Sequence, residues 1–507
     1  MESVIEKSIC TLYFYLDRSS NEKHEKVYVY IDNLIGTLVK HNMTTYIQTL
    51  YKLLYQTRDC LSGKGERDIC YAFICAFYKY YPRQTMYAFH NMCMYFGSWA
   101  DIKYFCRFVK DFNLIDENSK QILTYCAIDI LIYQFDLDCY NWEQHFNLYL
   151  QRKTEKRPYA PDIISFVAKW IPRESNSFGW LYEKIVERYY HIHVPYVENS
   201  YVSIKSEFRK KVSRLSRELR TSQIFMCEKK YDQVVPKTVT LQTMIRESNS
   251  LMNCKSDESF NECCETFYNY VDLDEQNENY KKSLNISVGM LVKKGFRLLG
   301  QRYDKSTEYQ MKMLNNIWNK IVKSISYSLS VIPIVDVSGE QKYSSIGLGI
   351  LIAQVSTFKK IIVAESEFDV ITLNDDCFVD NLRKFFDYKT VFFNIRGMLS
   401  SLFKKHNKTY VDKMQYVVLS SEVNIMKNHD LINMYDKNVS IVFWNVFSNS
   451  DSILPLFVNN YTYVSGTSCK LVHFLRTIND KHDNTHGHYS ILCNYLSHYD
   501  FTNHITF

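Results

Sequence analysis

The sequence predicts a multidomain α and α/β protein. Helical repeats are expected over residues 1–325, a Rossmann-like α/β domain over 326–480, and a polar tail with one short helix over 481–507. Three observations predict this. Gly (14) and Pro (8) are scarce among 507 residues, and long helices tolerate few of either. Apolar residues recur at three- and four-residue spacing from about 27 to 325, as in Ile69, Phe73, Ala76, Phe77 and Tyr80. After 325, short β-rich runs alternate with helical segments.

The helical part is broken by short polar stretches at Arg58–Glu66, Tyr81–Arg83, Phe96–Ser98 and Asp116–Ser119. Helices of about 12–18 residues joined this way predict stacked pairs, an α-solenoid. No internal repeat supports the spacing. Residues 247–283 are polar and acidic and predict a loop or insertion between helices. The later part predicts strands at Val331–Val335, Ile361–Ala364, Asp369–Leu373, Val391–Asn394, Tyr416–Leu419 and Ile441–Val446. Helices are expected at Ser344–Phe358, Val379–Phe386 and Met398–His406. Such alternation argues a largely parallel sheet covered on both faces, with Asp336 at the carboxyl end of a strand. In the tail a helical piece is expected around Tyr489–Tyr499.

Composition narrows the function. Hydrophobic residues at 46% and aromatics at 15% are those of a folded chain. Abundant Lys, Asn, Ile and Tyr are also what an AT-rich genome produces. No apolar run approaches the roughly 18–20 residues that span a bilayer. The first twenty residues do not read as a signal peptide. The 15 Cys include no Cys-x-x-Cys pair, which predicts reduced thiols in the cytoplasm. Nothing argues for an enzyme: no Ser-His-Asp order, paired-carboxylate motif or GxGxxG is present, and Gly63-Lys64-Gly65 lacks the rest of a Walker A loop.

Charge is the more informative signal. The net +6 is mild, but Lys205–Arg220 holds seven basic and two acidic residues in sixteen. On a helix, Phe208, Val212, Leu215 and Leu219 share one face and the basic side chains cover the opposite arc. Lys205, Arg209, Lys210, Arg214 and Arg217 are therefore candidates for phosphate contact, or an ordinary solvated face. Three to five such contacts to a single strand would give a log K against log salt slope of roughly −2 to −3.5. Arg58, Lys64 and Arg67, among Asp59 and Glu66, either meet phosphates or form Arg–Asp pairs that lock neighbouring repeats. Lys293 and Lys294, with Arg297 and Arg302, either extend such a path or mark a helix end. Trp170 is expected in the core, with Pro172 stopping its helix. The histidines at 482, 486 and 488 read as a solvated loop rather than a zinc site.

Several motifs occur in an order that resembles a known family. Thr57-Arg58-Asp59 with Gly63–Arg67 is similar to an "RD…GKGER" signature, and Tyr95–Asp101 to "YGRWDD". Trp170–Glu174 is similar to "KWxPRE", the helix from Phe208 to "YRK…LR", and Val442–Asn445 to a later strand. Together they resemble the Ro-autoantigen-like (TROVE-type) family, in the branch found in plants, fungi, bacteria and giant viruses. Asp336-Val337-Ser338-Gly339-Glu340 resembles the metal-binding loop of a von Willebrand A domain.

The resemblance implies a ring or horseshoe of helical HEAT-like repeats closed by a von Willebrand A domain, and binding of structured or defective small RNA. It implies no membrane partner and no sequence-specific DNA recognition. The alternative is a protein-interaction scaffold or virion-associated structural protein whose von Willebrand A domain binds a protein partner without metal. The family's site holds one divalent cation through an Asp, two Ser, a Thr and often a second Asp. Here Asp336 and Ser338 are present and Glu340 replaces the second Ser. Ile395 or Arg396 stands for the Thr, and Ser421 for the second Asp. A degenerate loop without Mg²⁺ is expected. The minority alternative uses Asp336, Ser338, Glu340 and Glu422.

Overall fold

The computed structural model describes residues 2–16, 21–60, 63–152, 160–193, 201–236, 239–252, 258–273, 286–338, 342–363, 369–373, 377–386, 388, 415–420, 440–446, 457–458, 461–466, 469, 472, 475 and 488–499. Helices come first in the chain. They are α1 (Glu2–Tyr15), α2 (Asn21–Lys40), α3 (Thr44–Arg58), α4 (Asp68–Tyr78), α5 (Pro82–Asn91), α6 (Ala100–Asp111) and α7 (Glu117–Arg152). Then follow α8 (Val167–Trp170), α9 (Gly179–His193), α10 (Tyr201–Glu218), α11 (Ser222–Cys227), α12 (Leu241–Arg246), α13 (Ser248–Leu251), α14 (Glu258–Leu273), α15 (Val288–Leu299) and α16 (Lys305–Lys323).

Two units are distinguished by their contacts: residues 24–60, 65–239 and 501–507, and residues 1–23, 61–64 and 240–500. In the helical unit, α4 buries residues on every side, Ile69 through Phe77 without a break, as a helix enclosed by neighbours must. Pro82 opens α5 at its first turn, where a missing N–H is harmless, so Tyr81–Arg83 is a helix start. The longest helix among the described residues, α7, has 36 residues and reaches ~54 Å. That exceeds the expected 12–18. In its middle Asp136 meets His193, while Asp138 meets Ser165 and, within the helix, Gln134.

The second unit is built on seven strands: β1 (Val331–Val335), β2 (Lys360–Val363), β3 (Asp369–Thr372), β4 (Gln415–Ser420), β5 (Ser440–Asn445), β6 (Phe457–Val458) and β7 (Tyr461–Ser465). Their order is β3-β2-β1-β4-β5-β7-β6. The five from β2 to β7 pair in parallel, and β3 and β6 close the edges antiparallel. β1 and β4 are buried throughout, which is why they read as apolar runs without alternation. β6 and β7 were not expected, because polar residues interrupt the segment. The expected strand at 391–394 and helix at 398–406 lie outside the described residues.

α17 (Lys342–Val355), α18 (Phe378–Arg383) and α19 (His488–Leu496) complete this unit. α19 matches the helical piece expected in the tail. The stretch 247–283, expected as a loop or an insertion between helices, contains α13 and α14. The expected boundary near 325 falls inside the unit, because α15 and α16 lie against α17 and α18. Trp318 of α16 stacks on Phe378 at 4.0 Å and its indole N–H donates to Gln354. α15 and α17 approach closely where Gly289 faces Ser344 and Gly347 faces Val288. A Cβ at Gly347 would come within 3.1 Å of the Val288 carbonyl carbon, so Gly347→Val must push the helices apart. It is expected to cost about 1–3 kcal/mol, read as a lower urea midpoint; an unchanged midpoint would show that the crossing has slack.

Among the described residues, no helix is long and apolar enough to cross a membrane, and the fourteen described cysteines are free thiols.

Candidate nucleic-acid interface

α6 divides its side chains by face. Ile102, Phe105, Cys106 and Val109 are buried. Lys103, Arg107 and Lys110, at i, i+4 and i+7, fall together on the outer side. Aromatic rings from three elements lie among them. The Lys103 ammonium is 4.7 Å from the Trp170 ring centre, 5.0 Å from Tyr104 and 5.4 Å from Phe178. The Arg107 guanidinium is 5.5 Å from Phe178, and Lys110 is 4.7 Å from Trp180. Arg67, entering α4, sits 4.3 Å from Tyr104, and Lys169 is 5.5 Å from Trp170.

Among the described residues, Lys103, Arg107, Lys110 and Lys169 form no ion pair with a carboxylate. Burial lowers the Lys103 pKa below its ordinary value, and the nearby Arg67 charge adds to the effect. Burial alone lowers Lys169. Cations held partly out of water beside one another, without counter-charge, create a field that attracts anions.

α8 packs between α6 and α10 and joins this row to the basic helix. α10 buries Ile204, Phe208 and Leu215, and Leu219 just past its end is buried too, close to the expected apolar face; Val212 lines a cleft of about 950 Å³ with Lys169, Arg173, Arg209 and Arg217. Two sequence-predicted motifs, Trp170–Glu174 and the basic helix, therefore meet there although some 40 residues separate them.

The predicted phosphate contacts fare differently. Arg209, Lys210 and Arg217 are exposed and, among the described residues, without a carboxylate partner. Arg214 lies 3.8 Å from Glu143. Lys205 is held by two carboxylates, Glu183 at 2.7 Å and Glu174 at 2.9 Å; hydrogen bonds to Glu183 and Glu174 raise its pKa, so it locks α10 to α9. Lys293 is exposed and 6.0 Å from the Tyr343 ring. Lys294 is buried and donates to Asn249 at 2.8 Å; burial brings its pKa down to about 8, so it is no surface cation.

Arg58 is the clearest correction. It is 3% exposed and binds Asp101, itself 1% exposed, through Nε at 3.1 Å and Nη2 at 2.8 Å. Burial disfavours its charge, but Asp101 and the neighbouring groups outweigh this and raise its pKa. Tyr71 donates its hydroxyl to Asp101 at 2.6 Å, and the Ser98 N–H at 2.8 Å. Arg67 Nε lies 3.4 Å from the same carboxylate, close enough for an ion pair without hydrogen-bond geometry. Arg58 is thus the locking Arg–Asp pair. Lys64 donates to the Tyr13 carbonyl and covers the Tyr13 ring at 4.4 Å. Trp170, expected in the core, is only half-buried.

The start of the loop that resembles a metal site, through Ser338, is also described. Asp336 is fully buried at the carboxyl end of β1, as expected. Its Oδ1 accepts from the Ser338 N–H at 2.8 Å and hydroxyl at 2.5 Å, and its Oδ2 from the Ser420 hydroxyl at 2.6 Å. Serine donors thus occupy both carboxylate oxygens. Glu340, Ile395, Arg396, Ser421, Glu422, His482 and His486 lie outside the described residues; His488 begins α19. Among the described residues, no group of three or more His, Cys, Asp or Glu is placed to hold a metal.

Lys103, Arg107, Lys110 and Trp180 were missed from sequence. Their i, i+4, i+7 spacing was legible, but apolar neighbours dilute the charge below that of a run.

No protein-family profile and no curated protein matches the chain. Among solved structures, the crystal structure of the Deinococcus radiodurans Ro (RSR) protein is similar to it, with a TM-score of 0.42 and 10% identity, covering 93% of this chain and 99% of that one.

Proposed function

We propose that this chain binds RNA, without catalysing a reaction, through the surface formed by α6, α8 and α10. One observation carries the reading: cations without carboxylate partners alternate with aromatic rings along that surface. Phosphates release counterions on meeting such cations, and unpaired bases stack on such rings. We extend the reading to a Ro-like protein that takes structured or defective small RNA, with helical repeats and a von Willebrand A-like domain. The ordered motifs support this, because Gly63–Arg67, Tyr95–Asp101, Trp170–Glu174 and the basic helix all contribute residues at or beneath the surface.

The test is a titration of the purified chain with a labelled RNA hairpin bearing a single-stranded 3′ tail, repeated across salt concentrations. Five to seven contacts to the single strand give a slope of roughly −3.5 to −5. Absence of binding at low salt by the folded protein would sink the reading.

A second reading, a protein-interaction role for the α/β unit, is favoured by the serine-saturated Asp336. The Ser338 and Ser420 hydroxyls would have to turn away from Asp336 before its oxygens could meet Mg²⁺. The melting temperature is expected to be the same in EDTA and in millimolar Mg²⁺. A rise of several degrees with Mg²⁺ would show a working metal site instead.

A further inference from the structure

The cleft beside α10 contains a feature that phosphate contact along a surface does not use. Tyr182 is 4% exposed, lines the cleft, and its buried hydroxyl has no hydrogen-bond partner. A buried hydroxyl without a partner is costly, and Tyr182 stands in the cleft wall. The floor is apolar, made by Ile171, Pro172, Val212 and Ile224, and the rim is cationic, made by Lys169, Arg173, Arg209 and Arg217. The two carboxylates at the rim are occupied from outside it: Glu174 by Lys205 at 2.9 Å and Glu228 by Lys230 at 2.8 Å. Arg209 also lies within electrostatic reach of Glu174, and Lys169, Arg173 and Arg217 add positive charge around the cleft.

An apolar floor, a cationic rim and one orphaned hydroxyl suit a ligand with a flat, weakly polar body and an attached anion. The volume of about 950 Å³ is near the upper end of ligand clefts, roughly 300–1,000 Å³. The cleft also continues the cation–aromatic row, since Lys169 lines it and the next residue, Trp170, borders Lys103 of α6. A strand crossing that row reaches the cleft at its end.

We propose that the cleft receives one unpaired nucleotide of the bound RNA. Arg209 and Arg217 hold its phosphate, the base lies on the apolar floor, and the Tyr182 hydroxyl completes a hydrogen bond with the base or ribose. This rests on the RNA reading and adds a nucleotide-sized subsite to it. The hydroxyl both donates and accepts, so the subsite alone does not select one base.

The test uses the full chain and the four nucleoside 5′-monophosphates as probes, measured by calorimetry, beside inorganic phosphate and an uncharged nucleoside. At least one nucleotide is expected to bind one-to-one and more tightly than either fragment. Tyr182→Phe is expected to weaken it about fivefold without lowering the melting temperature, since its hydroxyl has no protein bond to lose. Arg209→Ala with Arg217→Ala, both exposed positions, is expected to abolish it. Ser213→Trp, at the exposed rim, is expected to block entry and provides a second variant that leaves the core alone. If no nucleotide binds while single-stranded RNA still does, the subsite is refuted and the RNA reading stands. Nucleotide binding that all these variants leave unchanged also refutes it. Failure of both nucleotide and RNA removes both proposals.

Discussion

Asp101→Ala is expected to lower the unfolding free energy by about 3–5 kcal/mol, the largest stability loss foreseen for a single substitution here. The reason is what it strands. Arg58, at 3% exposure, would keep a buried charge with its carboxylate gone, and the Tyr71 hydroxyl and Ser98 N–H would lose an acceptor. Gly97 leaves no slack for rearrangement, because a Cβ there would already lie 3.1 Å from the Arg58 guanidinium. Taking out both charges is different. Arg58→Met with Asp101→Leu removes the uncompensated charge, and buried pairs replaced by apolar groups often regain most of the loss. Urea denaturation of Arg58→Met, Asp101→Leu and the double variant forms a cycle. A loss below about 1 kcal/mol for Asp101→Ala would mean that water reaches the pair and that it does not lock α3 to α6.

Reversing the α6 row, Lys103→Glu with Arg107→Glu and Lys110→Glu, is expected to weaken RNA binding on the order of 100-fold at moderate salt. The salt slope should become shallower by about 2, since three contacts to a single strand are removed. Because these side chains form no ion pair with a described carboxylate, reversal breaks no such pair, and the melting temperature should change little. Lys205→Glu offers the contrast. It leaves Glu174 and Glu183 without their cation, so it should disturb stability more than RNA affinity. Trp170→Leu tests the rings separately, with stacking of one base worth about 1–3 kcal/mol. Unchanged affinity in the triple variant, with RNA still bound, would move the interface off α6 and onto the remaining arc of α10.

Much of the fold was legible. β1 to β5 fall within one residue of runs expected from apolar and β-branched content, and α10 shows the amphipathic face that its spacing predicted. β6 and β7 escaped because the residues from 457 to 465 mix Asn and Tyr with apolar residues in pieces too short for a period. The length of α7 escaped because helix length depends on what packs along it, and the partners of Asp136 and Asp138 on other elements, His193 and Ser165, lie 57 and 27 residues away.

The site was legible as composition and not as placement. By itself the sequence determined where most of the described helices and β1 to β5 form, since periods of 3.6 and 2 are properties of neighbouring residues. It also determined that basic residues cluster on one helix. Only the tertiary structure decided which cations are available. Arg58 is taken by a carboxylate 43 residues away, and Lys205 by two at 31 and 22, whereas Lys103 and Arg107 sit among rings drawn from α6, α8 and the start of α9. Charge acts through space over a few ångströms regardless of position in the chain. Which arginine is a lock and which is open to a phosphate is therefore settled by folding, not by the local run of residues.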